Sequence, residues 1–225
     1  LHRRRHSFPT RRSSDLVWLG LVAGCGRSPV LLFGHGADGG DDGPVVPRCA
    51  EGPEDAFAQV VVGYEPAAGG GDVPLRDDVV DPEAALGQPD HMPTPPLGTV
   101  SIGDGGTLTV GFEPCTMGTD LGPGLDLLVH EAGFDEQVTV ELRLTAAARP
   151  WLEPMLDADG FVTLPPWASA TGGVDVDGAL VGVPAEGLRF DAVRVRDVPG
   201  QGLETVETPG ADIDAVEIAV PLPAE

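Results

Sequence analysis

In the stretch Gln137–Thr145 the apolar residues Val138, Val140, Leu142 and Leu144 alternate with Thr139, Glu141, Arg143 and Thr145. Successive strand side chains point to opposite faces, so a period of two describes a strand with one buried and one wet face. The same rhythm returns in LRFDAVRVRDV, where Val193 and Val195 oppose Arg194 and Arg196, and in ADIDAVEIAV, where Val216, Ile218 and Val220 share a face. AQVVVGYEP is rich in β-branched residues and stops at Pro66, and GLDLLVH follows a Gly-Pro-Gly break. TVSIG and GTLTVGFEP flank the Gly103–Gly106 turn, which reads as a hairpin. Only AFAQ and PEAALG suggest helical turns. Many short strands with Gly/Pro turns and no strand–helix–strand rhythm predict an all-β, antiparallel sandwich over residues 58–225.

The segment before it reads differently. Residues 25–57, including GHGADGGDDGPVVP, form a Gly/Asp/Pro tether without sustained periodicity. Asp38, Asp41 and Asp42 lack the spacing and closing Glu of an EF-hand loop. Ser7–Leu16 reads SFPTRRSSDL, one frame of a common sequencing adapter, so residues 1–16 are set aside as an artefact. Residues 17–24 are then the remnant of a signal peptide, too short to span a bilayer. Leu19–Cys25 ends in Val-Ala-Gly-Cys and resembles the lipobox of bacterial lipoproteins. That resemblance implies that Cys25 carries a lipid and that the rest of the chain lies outside the cytoplasm, held to a membrane by the anchor alone. Gly26, in place of an acidic residue after the cysteine, favours the outer membrane or cell surface.

Charge narrows the partners. The chain has no lysine, and beyond residue 16 eight arginines face thirty-five acids, a net charge of −27. Such a surface repels phosphate backbones and disfavours nucleic acid. It suits a soluble exported domain and offers oxygen ligands to calcium. With Cys25 lipidated, Cys49 and Cys115 remain as a disulfide pair in an oxidising compartment.

The strands, taken in order, carry a second resemblance. Leu86-Gly87-Gln88-Pro89, Val100–Phe112, Gly122–Glu131, Val138–Trp151, Val193–Asp197 and Asp212–Glu217 follow one another as in a family of bacterial cell-surface β-sandwiches. That family has a galactose-binding-like (discoidin-like) jelly roll. Departures fall at His130, where the family has Phe, at Thr145–Pro150, at Ala211 and across residues 154–187. The resemblance implies a jelly-roll sandwich and, by fold analogy, a carbohydrate or surface-polymer ligand.

Strand ends that meet in a jelly roll would bring Asp126, Glu131, Asp212 and Asp214 together as a calcium site. The alternative is that these acids accept strand-end amides or face water. Asp157–Gly160 and Asp175–Gly178 read as turns, since Asp and Gly tolerate positive φ. His130-Glu131 lacks the second histidine of a zincin helix, and Ser28, Ser101 and Ser169 sit in no nucleophile elbow. Trp151, Trp167, Tyr64 and His91 are candidates for a sugar-stacking platform, and Trp167, in LPPWAS, is the preferred ligand contact. The sequence thus predicts a non-catalytic, lipid-anchored envelope module that binds carbohydrate or another surface polymer. A structural envelope subunit and a glycoside hydrolase with an unmarked acid pair are the alternatives.

Overall fold

The structure is a computed structural model. It describes Cys49 and residues 53–90, 92–93, 96–119, 122–132, 136–146, 152–165, 172–184, 188–201 and 207–223. All of these lie in one compact unit, Pro44–Glu225. The architecture is all-β, as the alternation predicts.

The larger sheet is built on β11 (Phe190–Asp197). One side of β11 takes β5 (Thr107–Gly111), which in turn pairs with β1 (Val60–Glu65). Its other side takes β8 (Val138–Leu144), which pairs with β9 (Phe161–Thr163). β6 (Cys115–Met117) meets the start of β11 at Phe190 and carries β13 (Pro221–Pro223). The smaller sheet runs β10 (Gly172–Val174), β7 (Leu127–Glu131), β12 (Asp212–Ile218), β4 (Val100–Ser101). A short ribbon pairs β2 (Met92–Pro93) with β3 (Pro96–Leu97). All the pairings are antiparallel. Among the described residues, no helix is long and apolar enough to cross a membrane.

The core is made by the alternating residues named from sequence. Leu108 and Val110 of β5, Val140, Leu142 and Leu144 of β8, and Val193 and Val195 of β11 are buried with Leu127 and Val129 of β7 and Val216 and Ile218 of β12. Tyr64 turns inward from β1, and its hydroxyl donates to the Ser101 carbonyl at 2.7 Å. This inward ring links the two sheets and removes Tyr64 from the sugar-stacking candidates.

Two local expectations are corrected. TVSIG and GTLTVGFEP do not form a hairpin: β4 belongs to the smaller sheet and β5 to the larger. The chain crosses between sheets at Gly103–Gly106, where the Gly106 amide donates to the Gly103 carbonyl. A Cβ on Gly106 would lie 1.6 Å from the Ile102 oxygen, so no other residue fits. Buried Asp197 holds this crossing, accepting the amides of Gly105 (2.8 Å) and Ala211 (3.2 Å). AFAQ is not helical either: the 3-10 turn is Pro53–Ala56, and Phe57 makes a bridge to Glu217. PEAALG does begin with a 3-10 turn, Pro82–Ala85, capped by Asp81, which accepts the Glu83 amide.

Candidate binding face

The outer face of the larger sheet follows from its register. Three rows cross the strands. The first is Val60, Gly111, Ala192, Arg143, Phe161; the second is Gly63, Thr109, Arg194, Glu141, Thr163; the third is Glu65, Thr107, Arg196, Thr139. Side chains two apart on a strand share a face, so these rows point away from the core that Leu108, Val110, Val193 and Val195 fill. Along β5 the outward residues are small: Thr107, Thr109 and Gly111. A shallow valley therefore runs down the sheet.

At the Gly111 end the valley opens into a groove of about 740 Å³. Val60, Val62 and Pro114 supply apolar wall, and Glu113, Arg143 and Asp191 supply donors and acceptors; Thr116 and Thr145 also line it, but the Thr145 hydroxyl is buried and the Thr116 hydroxyl faces the Leu222 carbonyl. Gly111 forms its floor. A Cβ there would stand 3.0 Å from Val60, 3.3 Å from the Asp191 carbonyl and 3.4 Å from Val62, so a larger residue would crowd the groove's lining. The Arg143 guanidinium donates to Asp191 at 2.6 Å, which leaves both groups with unused hydrogen-bonding atoms. A second depression of about 190 Å³ lies further down the valley among Gly63, Glu65, Thr107, Thr109, Asp159, Arg194 and Arg196.

Arg194 stiffens this face. Its guanidinium pairs with Glu141, with Asp157 at 2.5 Å and with Asp159 at 3.6 Å, and stacks 4.0 Å over the Phe161 ring. Asp157 also accepts the amides of Asp159 (2.9 Å) and Phe161 (2.8 Å), which makes Asp157–Gly160 the turn expected from sequence. Burial acts to raise the Asp157 pKa, but the two amides and Arg194 outweigh it and hold the carboxyl below its usual range.

The four acids expected to share calcium do not converge. Asp126 and Glu131 bracket β7, whose pairing runs from Leu127↔Ile218 to Glu131↔Ile213. At about 3.3 Å per residue the two ends are some 16 Å apart. Glu131 and Asp212 are neighbours, since the amide after Glu131, that of Ala132, donates to the Asp212 carbonyl at 2.8 Å. Glu131 also faces Glu136, which is 4% exposed. Burial first, then the charge of Glu136, pushes Glu131 up to about 9, and burial lifts Asp212 to about 6. Raised pKa values of this kind favour the protonated carboxyls where acids are buried together. Asp214 accepts the Asp90 amide at 3.1 Å.

Asp126 instead meets Asp175 and Asp177, a group that sequence reading missed because it joins a β7 end to a distant turn. Its ligand oxygens lie within 4.8 Å of one another, the geometry in which a hard cation could be held. Structural work already occupies part of it. Asp126 is fully buried and accepts the Val176 amide at 2.8 Å, and Asp175 caps the helical turn Val176–Ala179 by accepting the Gly178 amide at 2.7 Å. Burial and the two neighbouring carboxylates raise the Asp177 pKa.

His130 lies on β7 with its Nε2 2.8 Å from Glu217. Cys49 and Cys115 are paired, with Cα atoms 5.6 Å apart. Cys115 also borders the groove. Cys25, His91, Trp151 and Trp167 lie outside the described residues. Comparison with protein families, curated proteins and solved structures finds no match to this chain.

Proposed function

We propose that the chain is a lipid-anchored envelope protein whose β-sandwich, a galactose-binding-like jelly roll, binds carbohydrate or another surface polymer without catalysis. The observation that supports binding is the open groove on the larger sheet. It combines an apolar wall at Val60 and Val62 with the carboxylates of Glu113 and Asp191 and the guanidinium of Arg143. Ligand sites typically pair apolar surface with a few fixed polar groups, in volumes of roughly 300–1,000 Å³. The anchor rests on the lipobox at Cys25 and is tested by mass spectrometry of the native protein, which should find a lipidated Cys25 as its first residue.

A glycan array tests the ligand class. Saturable binding that Glu113→Ala weakens supports the groove. Binding lost in Trp167→Ala instead transfers the site to the Pro-rich segment LPPWAS. No binding to any glycan removes the carbohydrate reading and favours a structural envelope subunit. Two carboxylates in one groove also sustain a hydrolase reading. Release of reducing sugar from a bound polymer, abolished by Glu113→Gln, would establish it in place of simple binding.

A further inference from the structure

The two depressions on the larger sheet lie in line. Val60 and Gly111 line the groove, Gly63 and Thr109 begin the second depression, and Glu65 and Thr107 continue it along the same two strands. Gly111 to Thr107 is four residues, about 13 Å of strand, and Glu113–Thr116 extends the groove beyond Gly111. A ligand long enough to use both would lie along β5.

The polar groups on this path also define its charge. Arg143 is bound to Asp191, Arg194 to Glu141, Asp157 and Asp159, and Arg196 lies 3.6 Å from Glu141. Among the described residues, each arginine on this face therefore has a carboxylate partner. Glu65 and Glu113 add further negative charge, on a chain of net charge −23. A uronate or phosphate would meet no spare cation here, and acidic polymers are repelled. Paired ions still keep free N–H donors and oxygen lone pairs. Sugar hydroxyls, which donate and accept, match both.

From this we infer that the outer face of the larger sheet is a two-part site for an extended, neutral polysaccharide lying along β5, with the groove and the second depression as consecutive subsites. This rests on the reading of the module as a carbohydrate binder and adds its ligand class and binding mode.

The test uses the whole protein and size-fractionated oligomers of neutral glucans, xylan, galactan and mannan, from disaccharide to octasaccharide, beside polygalacturonate. Calorimetry should show affinity rising about tenfold with length, the worth of one or two added hydrogen bonds, and no binding of polygalacturonate. Arg196→Ala, at a side chain 40% exposed, should remove the gain for long oligomers. Glu113→Ala should weaken every length. Length-independent binding of a neutral oligomer, indifference to Arg196→Ala, or a preference for polygalacturonate overturns this inference while leaving carbohydrate binding standing. Absence of binding to every polymer overturns both.

Discussion

Replacing Cys49 and Cys115 together by alanine should cost this domain a large share of its stability. The bridge closes a loop with a sequence separation of 66 residues, which carries β1, β4 and β5. For a loop of that length the chain-entropy relation gives about 4 kcal/mol at 25 °C, through greater freedom of the unfolded chain. Cys115 is buried in the core and Cys49 packs against it, so the lost packing adds to this entropic figure and makes it a lower bound. For a domain of this size each kcal/mol corresponds to about 2–4 °C, so the melting temperature should fall by about 10 °C or more. Urea unfolding of both proteins supplies the free energy, and thermal scans with and without reductant supply a control. Reductant should lower the wild-type midpoint towards that of the double variant and leave the variant unmoved. A loss below about 1 kcal/mol, or a reductant effect that persists in the variant, would refute the reasoning.

Other expectations follow from the charged groups. Glu131 and Asp212 have raised folded-state pKa values, so their contribution is fully present below the unfolded values and is lost as pH rises through about 6 for Asp212 and about 9 for Glu131. Glu131→Gln, which resembles the protonated acid, should therefore leave the melting temperature unchanged at pH 4 and raise it relative to wild type at pH 9; a constant difference across pH contradicts this. Arg194→Ala should cost about 3 kcal/mol in urea unfolding, because it removes the main partner of Glu141, a side chain 10% exposed. A loss under about 1 kcal/mol would show that Arg196, 3.6 Å from Glu141, suffices as its partner. The calcium expectation now rests on Asp126, Asp175 and Asp177: it requires a melting temperature that rises more with calcium than with magnesium at equal ionic strength, and Asp175→Asn must abolish the difference. Equal rises with both ions discard it.

The strands were legible because alternation is a local signal that burial enforces. Val138–Leu144 and Val193–Val195 place their apolar residues in the core as read. The sheet change at Gly103–Gly106 was not legible, since a Gly-rich turn looks alike whether the next strand pairs back or crosses over. The calcium quartet spans a distance that strand arithmetic already shows: four residues separate Asp126 from Glu131, and an extended strand holds its two ends apart. The groove was hidden for a different reason. Alternation marked Arg143, Arg194 and Arg196 as wet, but a hollow forms only because register sets Gly111 beside Ala192 and brings Arg143 to Asp191. Those alignments depend on pairings between strands far apart in the chain, and on a bulge between Phe190 and Ala192 that turns Asp191 outward.

The central claim is that the outer face of the larger sheet is the binding surface. Its most direct test is amide chemical-shift mapping of the isotopically labelled protein during titration with the tightest-binding neutral oligosaccharide. The account predicts saturable shifts confined to β1, β5, β8 and β11, centred on Gly111, Glu113, Arg143 and Asp191 and reaching Thr107 and Arg196 with longer oligomers. Shifts centred on the sequence around Trp167, or on the smaller sheet, would contradict it.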